Sequence, residues 1–275
     1  MATRAGMPVS TTHSLVGALV GAGIAAGSTI DLAQLGDRFF LPLLFSPPLA
    51  MLATAGTYPI FRSARKKLGI SADTCLCVGS EVIETVPTSN YAAAVQRAEQ
   101  LTVRFGNVVT CRSRYRGALL GIEAAAALDH LHFVSAGTVS FARGLNDTPK
   151  IAALLLLAPQ LGGNLGTALV GIVMAIGGLV NARRVAETMS QRIATMNHGQ
   201  GFTANLMTSL IVIGASRFGM PISTTHVSCG ALFGIGAVTG QARWATIGKV
   251  LVAWVTTLPA GAALGAASLW MIRSL

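Results

Sequence analysis

The sequence predicts an all-α, polytopic membrane protein, and three observations carry that prediction. Of the 275 residues, 52% are hydrophobic and only 11% are charged, whereas an ordinary soluble domain carries about 25% charged residues. Apolar stretches recur at 14–30, 39–61, 117–142, 151–182, 202–216, 227–240 and 244–272, several near the roughly 20 residues that a helical span needs. The third observation is a repeat: GMPVSTTHSLVGALVGAG (Gly6 to Gly23) returns as GMPISTTHVSCGALFGIG (Gly219 to Gly236), identical at twelve of eighteen positions and offset by 213 residues. Repeated membrane segments in two halves of a chain are how many secondary transporters are built, with the substrate site where short, interrupted segments meet.

Taken in order, residues 1–61 read as the remainder of a first membrane repeat, with a motif, an apolar helix and the Pro-rich span LPLLFSPPLAMLATAGTYPIF. The early Arg4 before an apolar run imitates a secretory signal. The return of the same segment at residue 219 assigns it to the fold instead.

Residues 62–116 form a polar loop holding nine of the twenty Lys and Arg against four acidic residues. By the positive-inside rule the loop is expected in the cytoplasm. Arg62, Arg65, Lys66 and Lys67 directly follow a span and suit orientation or lipid headgroups. A formal charge of +10 would otherwise raise nucleic-acid binding, but its placement beside a span argues against that partner. Tyr91 to Phe105 is expected as a helix on the membrane surface. Of the four cysteines (Cys75, Cys77, Cys111, Cys229), three sit in this loop. They read as loop or packing cysteines, not as a disulfide framework or a metal set, for which ligands are too few. Residues 117–275 are the second membrane repeat.

The repeated motif is a helix start. Pro8 and Pro221 disfavour helix just before them, and the following Ser and Thr are good N-caps. Hydroxyls of Ser10, Thr11 and Thr12, and of Ser223, Thr224 and Thr225, then lie beside unpaired backbone N–H groups at the positive end of a helix dipole, an arrangement that suits a tetrahedral oxyanion. The plainer reading is that they only cap two packed helices. The segments behind them carry Gly17-x-x-x-Gly21 and Gly230-x-x-x-Gly234, which allow close packing or a re-entrant course. A helix start facing lipid would leave polar groups unpaired, so both motifs are expected to face protein or a cavity.

The next element is Phe141-Ala-Arg-Gly-Leu-Asn-Asp-Thr-Pro-Lys150. Asn146 and Asp147 are polar groups at membrane depth, which by default mark function. Pro149 is expected to interrupt the helix and free carbonyls, giving the hard-oxygen set that a small cation prefers. A helix-breaking turn at the membrane surface is the alternative.

GLND, PISTTH, an earlier PVSTTH and a later Trp254-Val-Thr-Thr-Leu-Pro259 together resemble the inorganic phosphate transporter (PiT) family over nearly the whole chain except the loop. The resemblance implies an inverted-repeat fold with short or re-entrant helices, multi-pass in the cell (inner or plasma) membrane. It implies sodium- or proton-coupled symport of inorganic phosphate, with sulfate carried by some members, and a homodimer. No cofactor is implied beyond Na+ or H+ as coupling ion. The motif hydroxyls of both copies would contact the anion, with Asn146 and Asp147 serving the coupling ion and Asp147 also the anion. His13 and His226 fall on the family's histidine positions, where anion contact, pH sensing and helix packing all remain open.

Two departures qualify the resemblance. The family carries an Asn-Asp motif in each half, but the counterpart of Asp147 in the first half would fall near position −66, so the first repeat reads as N-terminally truncated or the chain as a degenerate, non-transporting subunit. Lys150 stands where the family has Asn. Its ammonium is expected either to occupy the place of a sodium ion near Asp147, shifting coupling toward protons, or to snorkel to the interface. Phosphate retains a proton that sulfate lacks, so an accepting Asp147 would favour phosphate. A membrane enzyme is the rival class, using His13 and His226 with Glu123, Asp129, His130 and His132, but no acid, base and metal cluster is evident, and the expectation is no enzyme.

Overall fold

The computed structural model describes residues 6–87, 93–109, 119–157 and 163–274. They form two compact units, one of Met1–Tyr58 with Val134–Leu275 and one of Pro59–Phe133. Described elements of the first unit are helical. Helix α1 spans Thr11–Ala25. Helix α2 spans Leu32–Lys67, with one π-helical turn at Gly36–Phe40. Helix α3 covers Ala124–Ala152 and tightens into a 3-10 turn at Ala153–Leu157. Then follow α4 (Gly163–Glu187), α5 (His198–Arg217), α6 (Thr224–Thr239) and α7 (Trp244–Arg273).

Among the described residues, three segments are long and apolar enough to cross a membrane: Leu32–Lys67, Gly163–Val180 and Trp244–Ser274. Their windows bury little inside the protein, leaving side chains such as Leu44, Leu52, Leu179 and Val255 for lipid. Helices α1 and α6 have 15 and 16 residues. At ~1.5 Å rise per residue each is about 22–24 Å long, less than the roughly 30 Å hydrocarbon core. Neither motif helix alone is long enough to cross that core.

The short helices pack crosswise between the repeats. Helix α1 lies on α7, where Gly17 and Gly21 face the carbonyls of Leu258 and Ala262, and Gly261 and Gly265 face those of Ser14 and Ala18. Helix α6 lies on α2, where Gly230 faces the Pro47 carbonyl and Gly234 that of Met51. A methyl group at Gly21 or Gly234 would overlap the facing backbone, so the absence of a side chain sets the helix distance. Helices α2, α3, α5 and α6 share a core that includes Ala50, Ala142, Ala204, Val212, Val227, Ala231 and Ile235.

The second unit holds a three-stranded antiparallel sheet of order β2-β1-β3, with β1 at Thr74–Pro87, β2 at Ala93–Asn107 and β3 at Leu119–Glu123. This corrects the surface helix expected from Tyr91 to Phe105. The Ala-, Gln- and Glu-rich half of that stretch favours helix, but Leu101, Val103 and Phe105 alternate with polar residues at strand period. Pairing along β1 decides it, as in Leu76 with Phe105 and Val78 with Val103. Cys77 is disulfide-bonded, correcting its reading as a plain loop thiol, while Cys229 is a buried thiol of α6.

Candidate functional site

Each motif begins with a glycine in the left-handed region, Gly6 at φ 69° and Gly219 at φ 66°, a conformation glycine adopts without steric cost. At Gly219 it closes α5, with the Gly219 N–H on Ser216 O (3.1 Å) and the Met220 N–H on Ala215 O (2.9 Å). A three-residue turn about each proline follows, with the Val9 N–H on Met7 O (3.0 Å) and the Ile222 N–H on Met220 O (2.9 Å). Ser10 (φ −87°, ψ 119°) and Ser223 (φ −94°, ψ 115°) are N-caps of nearly the same geometry. Ser10 Oγ accepts from the His13 N–H at 3.1 Å and Ser223 Oγ from the His226 N–H at 3.2 Å. Both motifs are helix starts, as the sequence requires, and the two serine oxygens are spent on capping.

The two starts meet at Asp147, which is 2% exposed. Helix α3 continues through Pro149 to Ala152, which corrects the expected interruption. The proline withholds the bond that an N–H at 149 would give the Leu145 carbonyl, and the helix runs three residues beyond it. The freed carbonyl of the site instead belongs to Ile222, just after Pro221. It accepts from Asn146 Nδ2 (3.0 Å), from Lys150 Nζ (2.6 Å) and, at 3.5 Å, from Thr12 Oγ1. Lys150 Nζ also donates to Thr12 Oγ1 (3.2 Å) and lies 3.5 Å from Asp147 Oδ1. Thr224 Oγ1 donates to Asp147 Oδ2 (3.3 Å). Arg143 sets its Nε 3.6 Å from the same Oδ2 and donates from Nη2 to Thr225 Oγ1 (3.2 Å).

Thr12, Thr224, Thr225, Asn146, Asp147 and Lys150 therefore gather in one polar cluster contributed by α1, α3 and α6. Thr11, the counterpart of Thr224, is exposed. Asn146 Nδ2 (3.0 Å) and Thr224 Oγ1 (3.3 Å) donate to the two oxygens of Asp147, and the Lys150 and Arg143 cations stand 3.5 and 3.6 Å away as ion pairs. A carboxylate offers about four lone-pair sites, so these two hydrogen bonds leave Asp147 acceptor capacity for a phosphate proton. Its place is to orient the cations and hydroxyls around it.

Sequence reasoning passed over Arg143, whose side chain is half exposed. The signal was its spacing, since residues four apart share a helix face and Arg143 precedes Asp147 by four. It also passed over the Ile222 carbonyl and Ser216, whose Oγ reaches Asn146 Oδ1 at 3.4 Å. Two cations on one carboxylate leave the cluster with a formal excess of one positive charge, and Arg143 stands at its open side.

The two motif histidines meet each other. The His13 and His226 rings stand edge to face at 4.5 Å, and His226 lies 3.8 Å from the Trp254 ring. His226 Nδ1 is 3.5 Å from Leu43 O, and Trp254 Nε1 donates to Pro8 O at 2.9 Å. Both imidazoles line an apolar cavity of about 560 Å³ with Pro47, Phe233, Trp244 and Trp254. Their contacts run to packing partners rather than to Asp147. Among the described residues no three His, Cys, Asp or Glu gather as metal ligands.

A family model described as the phosphate transporter family matches residues 1–265. A Rhizobium meliloti protein named as a probable low-affinity inorganic phosphate transporter is 35% identical over 147 residues, covering 50% of this chain and 44% of its own. A Thermococcus kodakarensis protein whose name proposes a phosphate permease is 26% identical over 304 residues, covering 97% of this chain and 73% of its own. A Mycobacterium leprae protein, also named as a probable low-affinity inorganic phosphate transporter, is 23% identical, covering 98% of this chain and 56% of its own. The chain thus spans roughly half to three quarters of the length of these relatives. A solved structure titled "The sodium-dependent phosphate transporter" matches with a TM-score of 0.52 at 19% identity, covering 100% of this chain and 76% of that one, and supports the fold.

Proposed function

The chain belongs to the phosphate transporter family, and from that membership we propose that it moves inorganic phosphate across the cell membrane by symport with Na+ or H+. The observation that carries this reading is the convergence of both helix starts on the Asp147 cluster. The N-terminal amides of α1 and α6 and the hydroxyls of Thr12 and Thr225 supply donors to a tetrahedral oxyanion. The free edge of the Arg143 guanidinium adds charge-assisted hydrogen bonds. The anion then replaces contacts that Arg143 and Lys150 make with the threonines, and the residual positive charge favours its entry. Asn146 and Asp147 keep the two cations in place. The functional unit is a homodimer in the inner or plasma membrane, with the polar loop in the cytoplasm.

The test is uptake of labelled phosphate into proteoliposomes containing the purified chain. Saturable uptake is expected, with Thr225→Ala and Thr12→Ala each reducing it by about tenfold, the loss of roughly one hydrogen bond to a charged group. Unlabelled sulfate in excess should leave uptake unchanged; competition by sulfate would reassign the chain as a broader oxyanion permease. No uptake by a monodisperse, folded preparation would refute transport by this chain alone.

A further inference from the structure

Lys150 is the least expected member of the cluster. Its side chain is only 17% exposed, so it does not reach out to the interface as a snorkelling lysine would. The ammonium carries three N–H donors, and three oxygens surround it: Ile222 O at 2.6 Å, Thr12 Oγ1 at 3.2 Å and Asp147 Oδ1 at 3.5 Å. A backbone carbonyl, a hydroxyl and a carboxylate are the oxygen set that a small hard cation takes. They come from three separate elements: Thr12 from the first motif helix, Ile222 from the approach to the second, and Asp147 from α3. One positive charge is needed at their meeting point, because without it Asp147 would retain, among the described residues, the half-exposed Arg143 as its cationic partner. A tethered ammonium supplies that charge and cannot leave with the substrate.

We propose that Lys150 is the resident cation of this site, occupying the oxygen cradle in place of a free alkali ion, so that anion binding here requires no Na+. The inference rests on the transport reading for its consequence but not for its test, since cation occupancy is measured directly. Removing the ammonium while keeping the oxygens converts the cradle into a vacant alkali-ion site. An ion is worth more there than in water, because the surrounding helices exclude solvent.

The experiment uses the whole chain in detergent, with Lys150→Asn and Lys150→Ala as two independent openings of the cradle and Lys150→Arg as a charge-retaining control. Binding of radiolabelled Na+ and the thermal midpoint in NaCl against choline chloride are the readouts. Wild type and Lys150→Arg are expected to bind no Na+ saturably and to melt at the same temperature in both salts. Lys150→Asn or Lys150→Ala is expected to bind about one Na+ per chain and to melt higher in NaCl. In proteoliposomes, phosphate uptake by wild type should be equal in the two salts, while that of the opened variants should rise at least tenfold with Na+. Saturable Na+ binding by wild type overturns the proposal, as does its absence from both opened variants when they are folded and monodisperse. If wild type shows no uptake in either salt, the transport reading fails while the binding arms still decide the role of Lys150.

Discussion

Arg143 illustrates how much rests on single side chains in this site. Its guanidinium faces Asp147 on one side and Thr225 on the other, and its half-exposed remainder is the cluster's outward positive charge. Arg143→Gln is expected to raise the phosphate KM at least tenfold, about 1.4 kcal/mol, and Arg143→Lys to recover only part of it, because an ammonium lacks the planar fork. Uptake kinetics in proteoliposomes check both. Trp254 acts differently, through packing. Its indole N–H holds the Pro8 carbonyl beside the first motif while its ring faces His226. Trp254→Phe keeps an aromatic ring but strands a buried carbonyl, so a loss of about 1–3 kcal/mol is expected, read as a lower thermal midpoint in detergent. Both residues lie in segments that the sequence singles out, residues 141–150 and 254–259, but neither segment says what these two side chains do. A sequence does not say which way an arginine on an apolar helix turns.

At the scale of elements, the helix starts were legible because proline, serine and threonine act locally. Ser10 and Ser223 cap as their chemistry dictates, and Ser223→Ala is expected to cost about 0.5–2 kcal/mol by denaturation, with Ser10→Ala similar. The seams between helices rest on glycine. Gly21→Val and Gly234→Val would drive a side chain into the backbone of α7 or α2, and each is expected to reduce the yield of folded, monodisperse protein sharply on size exclusion. Gly27→Ala, at a position with nothing within 4 Å but a φ of 75°, is expected to cost only about 1–2 kcal/mol of backbone strain. The sheet of residues 74–123 was not legible, because the strand β2 depends on pairing with β1, at sequence separations up to 33 residues for Thr74 with Asn107. Local composition there pointed to helix, and tertiary pairing overrode it. The course of α3 through Pro149 was missed for a related reason: a proline there costs a backbone bond locally, and the contacts that hold this stretch, Lys150 to Thr12 and Thr224 to Asp147, join residues far apart in the sequence.

For the whole molecule, the internal repeat carried the architecture and the resemblance, and both were readable from the chain. What the repeat did not disclose is its crossed packing, in which each motif helix is sheathed by the long helix of the other half, α1 by α7 and α6 by α2. The pairing has a mechanical meaning. On the transport reading, a half that tilts would take with it a donor face belonging to its counterpart, so that rocking would re-aim the proposed anion site. The hypothesis is checked by cross-linking. A covalent bridge along the α1–α7 seam should leave phosphate flux intact, because those helices travel as one body, whereas a bridge tying the beginning of α1 to that of α6 should arrest it. Flux abolished by the seam bridge would mean that the two helices slide past each other in every cycle.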